Sequence, residues 1–355
     1  MPLSWISRVA GQKNLAAGLA MGLAGVLLAY LGNPRNTGIC VSCFVENVAG
    51  SLRLHGDPRM TYLRPELMGF LLGATFMALG RGKFRSRGGS SPFIRFLVGI
   101  FLIVGSTVFL GCPIKVLLRL AGGDLTALSG VVGLVAGVWL GVLFLRRGFF
   151  LGRGVGTSPL AGWILPAFMV FLTLGAMWGP ASFKGGLVGA AAEHAPLIAS
   201  LGLGALVGAL AQRSSFCVTG GLRNLFLTRD ISMISGVGLF FLSALVLNLA
   251  LGLFHPGLYN QPGSHLDHGW SLAGMGLVGF GAALIGGCPF RQLVLAGEGD
   301  VDAAAAVMGM LVGGGLVHSW AVRSTLAGAT PGGKVATALG FVVLLAVGVA
   351  YQERE

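Results

Sequence analysis

The stretch FLGCPIKVLLRLAGGD (residues 109–124) breaks an apolar run with a thiol, a helix breaker and a cation: Cys112, Pro113 and Lys115. Downstream, LIGGCPFRQLVLAGEGD (residues 284–300) repeats the pattern with Cys288, Pro289 and Arg291. A glycine precedes each cysteine, Gly111 in the first copy and Gly287 in the second. The offset from Cys112 to Cys288 is 176, and it also carries Gly123 onto Gly299 and Asp124 onto Asp300. A second pair, CVSCFVEN (residues 40–47) and CVTGGLRN (residues 217–224), aligns at an offset of 177, with Cys, Val, a hydroxyl residue and Asn in common. Two motif pairs at one spacing mark an internal repeat, with halves at 1–180 and 181–355 and a divide near 179–194.

Composition sets the compartment. With 54% hydrophobic and 10% charged residues and a mean hydropathy of +0.83, the chain reads as an all-α polytopic membrane protein. Its 61 glycines suit helices that approach closely in a bilayer. The net charge of +12 lies in short loops between apolar segments. It therefore reports topology and attraction of anions, and no nucleic-acid partner is expected.

Spans are expected at 15–32, 64–80, 93–110, 126–145 and 160–178, then at 196–210, 231–254, 271–286, 302–321 and 335–351. The first follows Arg8 and Lys13 and is long enough to cross, so a retained helix is expected there rather than a cleaved signal. Five spans per half is odd, so the second half enters the bilayer from the opposite side. The result is an inverted 5+5 repeat, an arrangement recurrent in transporters with a central site. Fifteen of the 24 Lys and Arg residues, from Arg8 to Arg354, fall on one side of this scheme, which predicts cytoplasmic termini. Arg35, Arg53, Arg59 and Arg64 lie on the other side.

Four apolar segments are too short to cross: 38–52, 113–120, 215–226 and 289–296. They read as re-entrant half-helices, tolerated where protein or a cavity surrounds their ends. Proline suits the first position of a helix. That places Cys112 and Cys288 at the caps, beside free backbone donors and the positive end of the helix dipole. Lys115 and Arg291 lie about one turn inside and set the local potential. Cys40 and Cys217 are matched in the same way, whereas Cys43 faces Gly220 in the alignment. The expectation is a narrow anion path lined by sulfur.

At these residues the chain resembles the YeeE/YedE family of membrane sulfur-compound transporters, closest to the YedE-related branch associated with selenium metabolism. The resemblance covers nearly the whole chain. It rests on NTGICVSCFVENVAGSLRLHG, YLRPELMGF, VFLGCPIKVLLRLAGGDLTALSGVVGLVAGVWLGVLF and GGCPFRQLVLAGEGD. It implies uptake across a bacterial inner membrane of a small chalcogen anion, thiosulfate or a selenium species, passed along cysteine thiols. Cys112 and Cys288 are the firm matches, and Cys40 matches the outer cysteine with Cys43 adjacent. A TusA-like cytoplasmic sulfur carrier is the partner implied, and no cofactor is.

Other features carry weaker expectations. Cys40-Val-Ser-Cys43 has the spacing of dithiol and zinc sites. The alternative function is accordingly an intramembrane thiol/disulfide or sulfur-transfer enzyme, against the expectation of no enzymatic activity. The loop with His255, His265, Asp267 and His268 is expected to be a solvated turn. Asp124, Asp300 and Asp302 are expected to cap helices, and Glu66, Glu193 and Glu298 to sit near membrane ends. Glycine-rich stretches lack the context of a nucleotide-binding motif.

Overall fold

The computed structural model describes residues 2–179, 183 and 188–352, with side chains from residue 11 onward. It is mostly helical. The first seven helices are α1 (Pro2–Tyr30), α2 (Val41–Ser51), α3 (Pro65–Gly80), α4 (Pro92–Phe109), α5 (Pro113–Ala121), α6 (Ala127–Arg146) and α7 (Pro159–Trp178). Seven more follow: α8 (Leu197–Ser214), α9 (Val218–Thr228), α10 (Ser232–Ala250), α11 (His268–Ile285), α12 (Pro289–Gly297), α13 (Val301–Ser319) and α14 (Pro331–Ala350). The second and fifth helix of each set are short, at 11 and 9 residues in both. Of the expected divide at 179–194, residues 180–182 and 184–187 lie outside the described residues.

Proline opens α3, α4, α5, α7, α12 and α14, where its missing N–H would have had no helical partner. Asp300 caps α13, its Oδ1 accepting from Ala303 N at 2.9 Å. The other two expected caps act differently. Asp124 accepts from Thr126 N at 2.9 Å and pairs with buried Arg119 at 2.6 Å. Asp302 reaches away from its own helix to accept from Gly89 N and Ser90 N, each at 2.9 Å.

Among the described residues, nine helical stretches are long and apolar enough to cross a membrane. The expected span at 64–80 is not among them. It forms α3, of 16 residues, about 24 Å long. Pro65 fixes its start, and Arg64 before it is extended and buried, donating to Glu193 O at 3.0 Å and to Ala190 O. A residue anchored that way cannot add another helical turn.

The principal packing partners lie in opposite halves. α1 packs on α10 and α3 on α8; α6 packs on α11 and α4 on α13; α4 and α11 meet centrally. Exchanging the two sets of seven interchanges the first two pairs, interchanges the next two, and maps the α4/α11 pair onto itself. Outside this core, α7 exposes Leu160, Ile164 and Phe171, and α14 exposes Val335, Leu339 and Val342. Apolar faces of that extent suit lipid.

After each nine-residue helix the chain turns through a matched glycine, Gly123 with φ of +95° and Gly299 with φ of +92°. A Cβ at Gly123 would lie 2.6 Å from the His255 carbonyl, and one at Gly299 would lie 2.9 Å from Arg85 O. Gly123→Val and Gly299→Val are each expected to destabilise the protein by about 1–3 kcal/mol, read as a lower thermal midpoint in detergent. Gly238→Ala, with nothing within 4 Å, should leave the midpoint unchanged.

Candidate functional site

All four matched cysteines occupy helix caps. Cys40 precedes α2, Cys112 precedes α5, Cys217 precedes α9 and Cys288 precedes α12. Their φ values of −79°, −89°, −159° and −67° are those of extended cap residues. Pro113 and Pro289 stand at the first helical positions. Gly111 and Gly287 leave room for the following cation: an added Cβ would meet the Lys115 stem and the Arg291 stem, each at 2.7 Å. This close approach explains the spacing Gly-Cys-Pro-x-Lys/Arg.

The cysteines gather in two clusters. In the first, Cys40 Sγ lies 3.0 Å from Cys43 Sγ and 3.4 Å from Ser42 Oγ, and the Cys112 thiol lies close to Cys40. In the second, Cys217 Sγ lies 3.5 Å from Cys288 Sγ and 3.2 Å from Thr219 Oγ1. Cys217 Sγ also accepts from Gly220 N at 3.3 Å and from Cys288 N at 3.4 Å. Cys112 of the first cluster lies near Cys288 of the second. All five thiols are free and buried.

One end of the bundle opens into a cavity of about 630 Å³ that reaches the first cluster at Cys43. Arg35, Arg64, Lys115 and Arg323 line it, with Glu193 as the counter-charge. Arg64 is buried, lies 4.9 Å over the Tyr62 ring, and leaves its Nε without a partner. Lys115 Nζ lies 3.9 Å from Cys43 Sγ. A second, smaller cavity of about 360 Å³ lies at the opposite end of α3, lined by Arg81, Lys83, Arg85, Arg87 and Arg213 with Glu298. Arg291 Nη1 pairs with Glu298 Oε1 at 3.4 Å, so it is neutralised toward this end. Both cavities are lined mainly by cations, a lining that attracts anions.

Beside the larger cavity sits a polar cluster that the sequence reading did not single out. Glu46 on α2 is buried and accepts from Arg323 Nε at 2.9 Å. His318 on α13 lies between two carboxylates, with Nε2 3.1 Å from Glu46 Oε2 and Nδ1 3.3 Å from Asp57 Oδ2. His55 stacks on His318 with ring centroids 4.1 Å apart. His55 Nε2 donates to Glu46 O at 2.9 Å and Nδ1 accepts from Asp57 N at 3.2 Å, which fixes a neutral tautomer. Its pKa is lowered, chiefly by burial. Burial pushes the Asp57 carboxyl up, but hydrogen bonds from Arg59 outweigh it and hold the group at about 2.

One expectation about the imidazoles needs correction. Glu66 sits in the first turn of α3, as expected near a helix end, and is fully buried there, accepting from Asn33 Nδ2 at 2.7 Å and Ser200 Oγ at 2.8 Å. In the loop before α11, His255 and His268 are exposed, but His265 is buried and donates from Nε2 to Val108 O at 2.8 Å. It satisfies a carbonyl near the end of α4, where the helix leaves acceptors free. Among the described residues, no group of three His, Cys, Asp or Glu is placed to hold a metal ion.

Exposure of the five thiols is graded: Cys43 is 7% exposed and the other four 3% or less. In single-cysteine variants, an impermeant maleimide is expected to label Cys43 at least ~10-fold faster than Cys40, Cys112, Cys217 or Cys288. Mass spectrometry of the intact protein reads the rates.

No curated protein matches the chain. Residues 213–352 match the family model described as Sulphur transport, a stretch that includes Cys217, Cys288 and helices α9 to α14. Together with the apolar helices, this match supports a multi-pass membrane transporter of sulfur compounds, similar to that family.

Proposed function

We propose that the protein is a permease for a small sulfur- or selenium-containing anion of the thiosulfate kind, taken up across a bacterial inner membrane. The observation that carries this reading is the placement of all five cysteines in two adjoining clusters, one of which opens at Cys43 into a cationic cavity. In this reading the chain is an inverted repeat of two halves, 1–180 and 181–355. The short helices α2, α5, α9 and α12 are re-entrant, each presenting its N-terminus to the path. Their free N–H groups and dipoles favour an anion, replacing part of its lost hydration.

The residues divide the work. Arg64, Lys115 and Arg323 raise the anion concentration at the mouth, and Cys43, Cys40, Cys112, Cys288 and Cys217 then form the ladder. Thiols are weak donors, so each site holds the anion loosely and releases it, as conduction through successive sites requires. Pro113 and Pro289 set the helix starts. Gly111 and Gly287 let the stems of Lys115 and Arg291 lie against the path. Both termini face the cytoplasm, and a TusA-like sulfur carrier is the proposed acceptor there.

The Cys40–Cys43 contact of 3.0 Å favours a second reading, dithiol or sulfur-transfer chemistry. Proteoliposomes holding only this protein separate the two. Accumulation of intact thiosulfate supports the permease, and chemical conversion without accumulation supports the enzyme. Cys112→Ala and Cys288→Ala are each expected to lower initial uptake by about tenfold or more, because each removes a donor that the dehydrated anion depends on. Normal uptake by the double variant contradicts the ladder.

A further inference from the structure

The carboxylate–imidazole cluster beside the mouth has no part in the ladder, and its geometry suits a labile proton. His318 presents each ring nitrogen to a carboxylate oxygen, Glu46 Oε2 at 3.1 Å and Asp57 Oδ2 at 3.3 Å. A neutral imidazole has one N–H and one lone pair. With both carboxylates ionised, that lone pair faces an anion, and adding one proton turns the repulsion into a second hydrogen bond.

The surroundings restrict where the proton goes. Asp57 is held at about 2 by Arg59 and stays ionised. His55, stacked on His318, is fixed as the neutral tautomer by its two hydrogen bonds. Arg323 faces Glu46 from the segment after α13, with Nε 2.9 Å from Glu46 Oε2. The charged residue of α4, Arg95, lies near the other end of α13, bonded to Ser90 beside Asp302. The labile proton therefore belongs to the His318–Glu46 pair. Asp57, with 15% of its side chain exposed, connects that pair to solvent.

The pair is also wired to the anion's entry point. Glu46 lies three residues after Cys43 on α2, a spacing that puts the two on neighbouring positions of one helix face. Arg323, which Glu46 holds at 2.9 Å, lines the same cavity as Cys43. A proton on the pair removes negative charge next to the site that an anion must enter and leaves Arg323 less committed to Glu46. By linkage, an anion in the cavity then favours the proton by the same factor. The repeat mates of Cys43 and Glu46 are Gly220 and Arg223, so this device exists at one mouth only.

We propose that the Glu46–His318–Asp57 cluster is a proton site whose occupancy is coupled to anion binding in the cavity, so that protons enter with the anion and drive its uptake. The inference rests on the permease reading and adds its coupling ion. The test uses full-length protein in proteoliposomes with thiosulfate as the probe. Counterflow is measured at equal pH, and net uptake with the outside at about pH 5.5 and the inside at about pH 8.

Wild type is expected to accumulate thiosulfate about tenfold more with the gradient than without it. His318→Gln and Glu46→Gln are expected to keep counterflow and lose the response to the gradient. Gradient-independent uptake by wild type, or a full response in both variants, overturns the proposal while leaving the permease intact. Absence of wild-type counterflow overturns the permease and this inference with it. Should the variants fail to fold, a pH-indicator dye decides on wild-type protein in detergent. Adding thiosulfate should take up about one proton per anion bound, and binding without proton uptake refutes the coupling.

Discussion

A helix that starts inside a bilayer carries N–H groups that no lipid can satisfy. Leaving each one bare in an apolar medium costs several kcal/mol, so a start of that kind is stable only when it faces protein, water or an anion. Four short helices here begin on a cysteine, all four of these cysteines are buried, and the starts of α9 and α12 meet at Cys217 and Cys288. The rest of the molecule serves that arrangement. The paired long helices α1/α10, α3/α8, α4/α13 and α6/α11 interlock the two halves around the short ones. Proline sets the two shortest helices in register directly after their cysteines.

The two halves share a backbone plan and differ in chemistry. The first adds Cys43, Glu46 and a buried Arg64 around an open cavity. The second has Gly220 and Arg223 at the positions of Cys43 and Glu46, and its cation Arg291 is paired with Glu298. A path symmetric in its centre and asymmetric at its mouths can bind the same anion throughout while treating the two sides differently.

Much of this was legible in the sequence. The segments read as too short to cross, 113–120 and 289–296, are helices at Pro113–Ala121 and Pro289–Gly297, since Pro and Gly punctuate both ends. Placing the cysteines at caps also followed from local rules. What escaped depends on contacts between distant segments. Glu46 and His318 are 272 positions apart, and neither flanks a motif that signals the other. The shortness of α3 follows from Arg64 being tied to carbonyls at 190 and 193, which hydropathy does not see. His265 lies in a Pro- and Gly-rich loop that reads as solvated, yet it is buried and shares Val108 O with Ser324 as a second donor. The one local clue to the missed cluster was an acid, Glu46, inside a short apolar helix.

The account stands or falls on sulfur being the surface along which the anion moves. A structure determined with thiosulfate bound tests this most directly. The account predicts the anion between the two cysteine clusters or at Cys43, within hydrogen-bond distance of at least one thiol and beside the start of a short helix. An anion held elsewhere in the protein, out of reach of all five thiols, would contradict it.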